Sequence, residues 1–113
     1  MREKEILQLC SHPNIVSLFA TNQDASSLYL LQSFIPGGDL FNMIHHISTR
    51  DSDGTITKYE HHPVLSDETN VQFYIACIAD ALWYLHCGLS NSIESTNRSV
   101  VYRDLKQENV MIN

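Results

Sequence analysis

Val71, Ile75, Ile78, Leu82 and Leu85 recur at alternating spacings of four and three residues. That is the period of one face of an α-helix, so this segment is expected to form a helix with an apolar stripe facing a core. Tyr74, Ala79 and Trp83 broaden the stripe. Ser66 is the expected N-cap, and Asp67 and Glu68 stand where the positive end of the helix dipole favours carboxylates. Such a helix draws most of its stability from burial against other elements.

The remaining elements follow from local punctuation. Residues 1–10 read as the back half of a helix, with Ile6, Leu7 and Leu9 among charges. His12-Pro13-Asn14 ends it, because the residue before a proline is pushed out of the helical region. Ile15 to Ala20 and Ser27 to Phe34 read as an antiparallel strand pair around a turn at Asn22-Gln23-Asp24. Pro36-Gly37-Gly38 closes the second strand, and Asp39 is placed to cap a short helix from Leu40 to about Ile47. Ser48 to Pro63 carries the turn residues Asp51, Ser52, Asp53 and Gly54 without a helical period, and reads as an exposed loop. Cys87 to Ser99 is a second polar loop, and Val110-Met111-Ile112 a short strand. Val100-Val101-Tyr102 is a further short apolar segment. The order is therefore helix, two strands, two helices and two very short strands, an α+β arrangement.

Composition excludes several functions. The net charge of −6, from 7 basic and 13 acidic residues, argues against a nucleic-acid partner, which needs clustered Lys and Arg. No apolar run reaches the roughly 18 residues needed for a membrane span, and no secretory signal follows Met1. Cys10, Cys77 and Cys87 are odd in number and far apart, which reads as reduced thiols, with Cys77 buried on its helix. A cytoplasmic location is expected on these grounds. The pairs His45-His46 and His61-His62 have no cysteine near enough to complete a zinc site. Asn97-Arg98-Ser99 matches the N-glycosylation triplet, which carries no weight without a secretory context.

The chemistry sits in Tyr102-Arg103-Asp104-Leu105-Lys106-Gln107-Glu108-Asn109. Apolar segments on both sides would pin this polar stretch to a core and fix its geometry. A carboxylate can orient an attacking hydroxyl, an ammonium two residues on can hold phosphate oxygens, and an amide five residues on can ligate a hard cation. Together they suit phosphoryl transfer.

This stretch resembles the H-R-D-L-x-x-x-N catalytic loop of eukaryotic protein kinases, with Tyr102 in place of His as in the AGC group that includes the cyclic-nucleotide-dependent kinases. Ile35-Pro36-Gly37-Gly38-Asp39-Leu40-Phe41 is similar to the segment just past the kinase hinge. Glu3 to Leu7 followed by His12-Pro13-Asn14-Ile15-Val16 resembles the C-helix and its exit into strand four. The resemblance implies a partial bilobal kinase fold. Residues 1–34 would form the end of the small lobe (C-helix, strands four and five), 35–41 the hinge and start of the large lobe, and 42–113 the mainly helical large lobe through the catalytic loop. The loops near 48–63 and 87–99 look longer than in close relatives.

Roles carry over residue by residue as implications of that resemblance. Asp104 would accept or orient the acceptor hydroxyl proton, Lys106 would contact the transferred phosphate, and Asn109 would ligate Mg2+. Backbone groups around Ser33 and Ile35 would bind the adenine of ATP, with Gln32 as gatekeeper and Met111 as the floor of the pocket. Asp39 resembles the acidic residue that meets the ribose or a basic substrate side chain, and Glu108 one that meets basic substrate residues. Glu3 would pair with a phosphate-binding lysine, and Arg103 would be structural. Lysine at position 106 favours Ser/Thr over Tyr acceptors in the family. Gln107 stands where relatives often have Pro and should stiffen the loop less.

The 113 residues contain no G-x-G-x-x-G, no Val-Ala-Ile-Lys-like strand, no Asp-Phe-Gly and no Ala-Pro-Glu. The expectation is thus an internal fragment of a Ser/Thr protein kinase that uses ATP and Mg2+ on protein substrates with basic residues near the acceptor. The fragment itself should be inactive. The alternative reading is a kinase-like scaffold or binding module without catalysis. Retention of Asp104, Lys106 and Asn109 together argues against it.

Overall fold

The computed structural model describes residues 3–89 and 100–113, in two compact units. The first comprises the described parts of Met1–Phe34 and Cys77–Tyr102, and the second Ile35–Ala76 and Arg103–Asn113. Among the described residues the α-helices are α1 (Glu3–Leu9), α2 (Leu40–Ile44) and α3 (Glu68–Trp83), the last divided between the units. Strands β1 (Leu18–Gln23) and β2 (Leu28–Gln32) form one two-stranded antiparallel sheet, and β3 (Ile47–Arg50) and β4 (Ile56–Tyr59) another. No helix among the described residues is long and apolar enough to cross a membrane.

In the first unit, α1 ends at Leu9, three residues before His12, where the backbone restriction before Pro13 excludes further helix. The turn that follows is fastened to the end of α3. His12 Nδ1 accepts from the Asn14 N–H at 3.1 Å, which leaves the ring proton on Nε2, 3.1 Å from Asp80 Oδ2. The His12 ring also packs on Tyr84 at 4.9 Å between centroids, and the Tyr84 hydroxyl accepts from the Ser11 N–H at 3.0 Å.

The β1–β2 pair forms as expected, but β1 is displaced by three residues toward the C-terminus, β2 lies within the expected Ser27–Phe34, and the turn is at Asp24–Ser27 rather than Asn22-Gln23-Asp24. One carboxylate decides this. Asp24 Oδ1 accepts from the N–H groups of Ser26 and Ser27, both at 2.8 Å, and from Ser26 Oγ at 3.0 Å, while Oδ2 accepts from the Tyr29 hydroxyl at 2.8 Å. Asn22 and Gln23 are left to pair with Tyr29 and Leu28 in the sheet.

The stripe on α3 is covered only in part. Leu85 and Leu89 are buried and Val71, Ile78 and Leu82 half-buried, but Ile75 is 61% exposed. Trp83 and Ala79, expected to widen the core-facing side, are exposed. Cover is concentrated past the end of α3, where the chain continues as a π-helical turn, Tyr84–Gly88, and the Val100 N–H reaches the Leu85 carbonyl at 3.1 Å. Cys87 and Gly88 belong to that turn rather than to a loop; the rest of the expected loop, from residue 90 to 99, lies outside the described residues. Cys77 is half-buried rather than buried, and burial pushes the Cys10 thiol up.

In the second unit Asp39 caps α2 as its sequence position implies. Oδ1 accepts from the Asn42 N–H at 2.8 Å and Oδ2 from the Asn42 side-chain amide at 2.9 Å. The helix stops at Ile44 rather than Ile47 because the next residues enter β3. The stretch expected to be an irregular loop is a β-hairpin. Asp51 Oδ1 accepts from the N–H groups of Asp53 (3.0 Å) and Thr55 (2.8 Å), and Gly54 takes φ +82°, a left-handed conformation that favours glycine. Ser66 does not cap α3. It closes a 3₁₀ turn, Pro63–Ser66, and Asp67 takes the capping place, accepting from the Thr69 N–H at 2.9 Å. His62 caps the 3₁₀ turn through Nδ1, and its own N–H donates to the Met43 carbonyl at 2.7 Å. Val110-Met111-Ile112 forms a single antiparallel bridge, Met111 to Asp39, rather than a strand, and Val100 to Tyr102 has no regular structure.

Two outcomes follow. The hydrogen bonds from Ser26, then Tyr29 and Ser27, hold the Asp24 carboxyl at about 2 against its ordinary 3.8. A depressed carboxyl contributes stability above its unfolded value and loses it as pH falls through the folded one. Amide shifts of Ser26, Ser27 and β2 should therefore stay constant down to about 3.8 and move as pH approaches 2, and Asp24→Asn should remove that transition. Asp39→Ala should cost about 1 kcal/mol in urea unfolding, while Asp39→Asn, which keeps a capping oxygen, should cost only a fraction of that.

Candidate functional site

The loop from Arg103 to Asn109 is irregular until Lys106, whose backbone is extended (φ −151°, ψ 161°). It then winds into one 3₁₀ turn, Gln107–Asn109, in which the Asn109 N–H donates to the Lys106 carbonyl at 3.0 Å. The turn carries Asn109 back onto Asp104. Asn109 Nδ2 donates to the Asp104 backbone carbonyl at 2.9 Å and to Asp104 Oδ2 at 2.8 Å. Lys106 Nζ stands 3.5 Å from Asp104 Oδ1. Three of the residues singled out in the sequence thus meet in one cluster, with the Asp104 and Lys106 side chains 69% and 50% exposed.

The loop is pinned more firmly downstream than upstream. Upstream, Val100 is half-buried and its N–H is bonded to the Leu85 carbonyl, but Val101 is 62% exposed. Downstream, Ile112 is buried at 5% exposure, the Val110 carbonyl accepts from the Leu40 N–H at 2.8 Å, and the Ile112 N–H donates to the Gly38 carbonyl at 2.8 Å. Helix α2 packs on the Gln107–Asn109 turn. The Pro36–Leu40 segment and the polar loop are therefore two sides of one small construction.

Its chemistry can be read from the donors and acceptors. Asp104 has one carboxylate oxygen on an amide N–H and the other beside an ammonium, so it remains an acceptor for a third group, such as a hydroxyl. Asn109 spends its Nδ2 on Asp104, and among the described residues no donor reaches its Oδ1, which leaves a hard oxygen for a cation. No group of three His, Cys, Asp or Glu among the described residues could hold a metal ion. A cation at Asn109 would have to draw its other ligands from water and ligand phosphates, which is how Mg2+ is commonly held.

The other expected site residues divide between the units. Ile35 (half-buried), Asp39, Glu108 (exposed) and Met111 (44% exposed) belong with the loop in the second unit. Glu3, Gln32 and Ser33 belong to the first. There the Ser33 N–H donates to the Ser17 carbonyl at 2.9 Å and its Oγ accepts from the Ser17 N–H at 3.0 Å. No donor among the described residues reaches the Ser33 carbonyl. Glu3 is exposed and lines a shallow cleft with Gln8, Gln23, Leu28 and Leu30. Sequence reasoning missed Asn42, which engages both oxygens of Asp39; the signal was its position three residues after a capping Asp.

Comparison with known proteins gives the family. The family described as "Protein kinase domain" matches residues 1–113. The chain is 42% identical over 98% of its length to the serine/threonine-protein kinase YPK3 of Saccharomyces cerevisiae, of which it covers 16%. It is 33% identical over 97% of its length to a cAMP-dependent protein kinase catalytic subunit of Arthrobotrys oligospora, again covering 16% of that protein. A Drosophila melanogaster cGMP-dependent protein kinase, isozyme 2 forms cD5/T2, is 33% identical over the whole chain, which spans 9% of it. No solved structure matches. The chain belongs to the protein kinase domain family, with relatives among the Ser/Thr kinases of the AGC type.

Proposed function

We propose that the chain is the central segment of a Ser/Thr protein kinase that transfers the γ-phosphoryl group of Mg-ATP to hydroxyls of protein substrates. In this reading residues 1–34 belong to the small lobe, 35–41 to the hinge and its exit, and 42–113 to the large lobe. The hairpin of β3 and β4 is then an insertion in the large lobe. The observation that carries the reading is the convergence of Asn109 and Lys106 on the two oxygens of Asp104.

Phosphoryl transfer asks a protein mainly for positioning and charge stabilisation. Asp104 would accept the hydrogen bond of the acceptor hydroxyl and take its proton as the new P–O bond forms and the γ-phosphorus bond to the β,γ-bridging oxygen breaks, releasing ADP. Lys106 would neutralise oxygens of the moving phosphoryl group. Mg2+, when bound with ATP, would offset the phosphate charge, with Asn109 Oδ1 as a protein ligand. By the family's pattern, the Ser33 carbonyl, the Ile35 backbone, Gln32 and Met111 would be the adenine contacts. Asp39 and Glu108 would favour substrates with Lys or Arg near the acceptor, in keeping with the net charge of −6. Asp39 acts as an acceptor when it caps α2, which is also what a basic side chain would ask of it, so the two duties are compatible. Glu3 would pair with a lysine that holds the α- and β-phosphates.

The test is phosphorylation of a basic Ser-containing peptide by the full-length protein that carries this chain. Asp104→Asn should lower kcat by about 10²–10⁴-fold with little change in KM for ATP. An unaltered kcat would overturn the reading. The 113 residues alone contain neither a Gly-rich phosphate loop nor Asp-Phe-Gly, and should transfer no phosphate above background.

A further inference from the structure

Gly37 lies directly under the backbone of Ile112. A Cβ at this position would run into the Ile112 carbonyl oxygen, with the carbonyl carbon 2.8 Å away and the Asn113 nitrogen at 3.5 Å. These are main-chain atoms, so no rotamer change can relieve the overlap; the Ile112 backbone itself would have to move. That backbone is held on the same spot by the bond from its N–H to the Gly38 carbonyl and by the buried Ile112 side chain.

The consequence reaches the polar loop over three residues. Ile112 follows Met111, bridged to Asp39, and Val110, whose carbonyl is bound by Leu40 and whose N–H donates to the Gln107 carbonyl at 3.3 Å. Asn109 comes next, and its amide makes two bonds to Asp104 at 2.8 and 2.9 Å. Both bonds need Asn109 held to within a few tenths of an ångström. We propose that Gly37 is a positioning residue for phosphoryl transfer: the lack of a side chain there lets the Ile112 backbone seat on the Pro36–Gly38 turn, and this seat sets Asn109 against Asp104. The inference rests on the role given to Asn109 above.

Gly37→Ala in the full-length protein is the direct test. A displacement on the order of 1 Å near reacting groups can cost about 10²-fold in rate, and disturbed support of a metal ligand costs about 10–100-fold in metal affinity. Gly37→Ala should therefore lower kcat by about 10²-fold and raise the free Mg2+ needed for half-maximal rate by about tenfold, at fixed Mg-ATP. In the amide spectrum it should shift the Asn109 side-chain signals and speed hydrogen exchange at Ile112 and Leu40. Gly54→Ala, which puts a side chain on the φ +82° position of the β3–β4 turn, is the stability control and should change neither the Mg2+ requirement nor those signals. If Gly37→Ala fails to fold, Ile112→Ala loosens the same seat without a clash and should move the Mg2+ requirement in the same direction.

A fall in rate that tracks the folded fraction, with the Mg2+ requirement unchanged, would overturn the proposal. So would unshifted Asn109 signals in a folded variant. If wild-type protein transfers no phosphate but the Asn109 signals shift as stated, the proposed function falls while the seating of Asn109 by Gly37 stands.

Discussion

The candidate site depends on a short stretch of backbone pairing. Leu40 and Gly38 bond to Val110 and Ile112, and Gly37 lets the two strands of chain come that close. Main-chain bonds of this kind are individually worth about 1 kcal/mol, but they are directional, and here they fix where a polar loop leaves the protein. Asn109 is the residue next to Val110, and Asp39, the cap of α2, is the residue next to Leu40. One pairing thus sets both the loop that would carry out phosphoryl transfer and the segment that would lie at the exit of the hinge. The side chains of the cluster add chemistry to a geometry they did not create.

What was legible in the sequence was whatever a single residue type dictates locally. Pro13 ended α1, and Asp39 began α2, because a ring closure and a carboxylate each act within a few residues of themselves. The polar loop was legible for a different reason. Its residues have a spacing that suits phosphoryl transfer, and in the structure the Asp104, Lys106 and Asn109 side chains lie close together. The β3–β4 hairpin was not seen, although Asp51-Ser52-Asp53-Gly54 was recognised as turn-forming. The strands beside it are short and mixed in polarity, and Ile47, Thr49 and Ile56 give little alternation from which to tell strand from loop. At Ser66 two competent caps stood side by side, and the 3₁₀ turn begun by Pro63 took up the first and left Asp67 for α3.

The stripe on α3 shows the limit of periodicity as evidence. Spacing established the helix and the face, but cover is a property of the other elements. Ile75 and Phe73 remain more than 60% exposed, whereas Leu85 and Leu89, beyond the end of α3, are buried. Burying an Ile or Leu side chain fully is worth about 1.5–3 kcal/mol, so the C-terminal end of the stripe contributes most of what the helix gains from packing here. The same end is tied to the turn after α1 by His12, Asp80 and Tyr84. His12 is poorly exposed and fully engaged through both ring nitrogens, which makes it a structural residue rather than a free base.

The unequal bonds around Asp104 suit the proposed reaction. Lys106 is 3.5 Å away and half exposed, and an ion pair in that setting is worth at most about 1 kcal/mol. Its ammonium can therefore leave the carboxylate for a phosphate oxygen at small cost, since a phosphate offers more charge than the carboxylate it replaces. Asn109, by contrast, holds Asp104 through two short bonds from one amide group, to the backbone and to the side chain. Swinging that amide away would break both at once. The cluster therefore has one mobile member and one fixed member, and the fixed one has its oxygen left over. In the proposed reaction a base that must stay oriented while a cation passes to a phosphate would need this division of labour, and the loop holds the three groups within six residues, from Asp104 to Asn109.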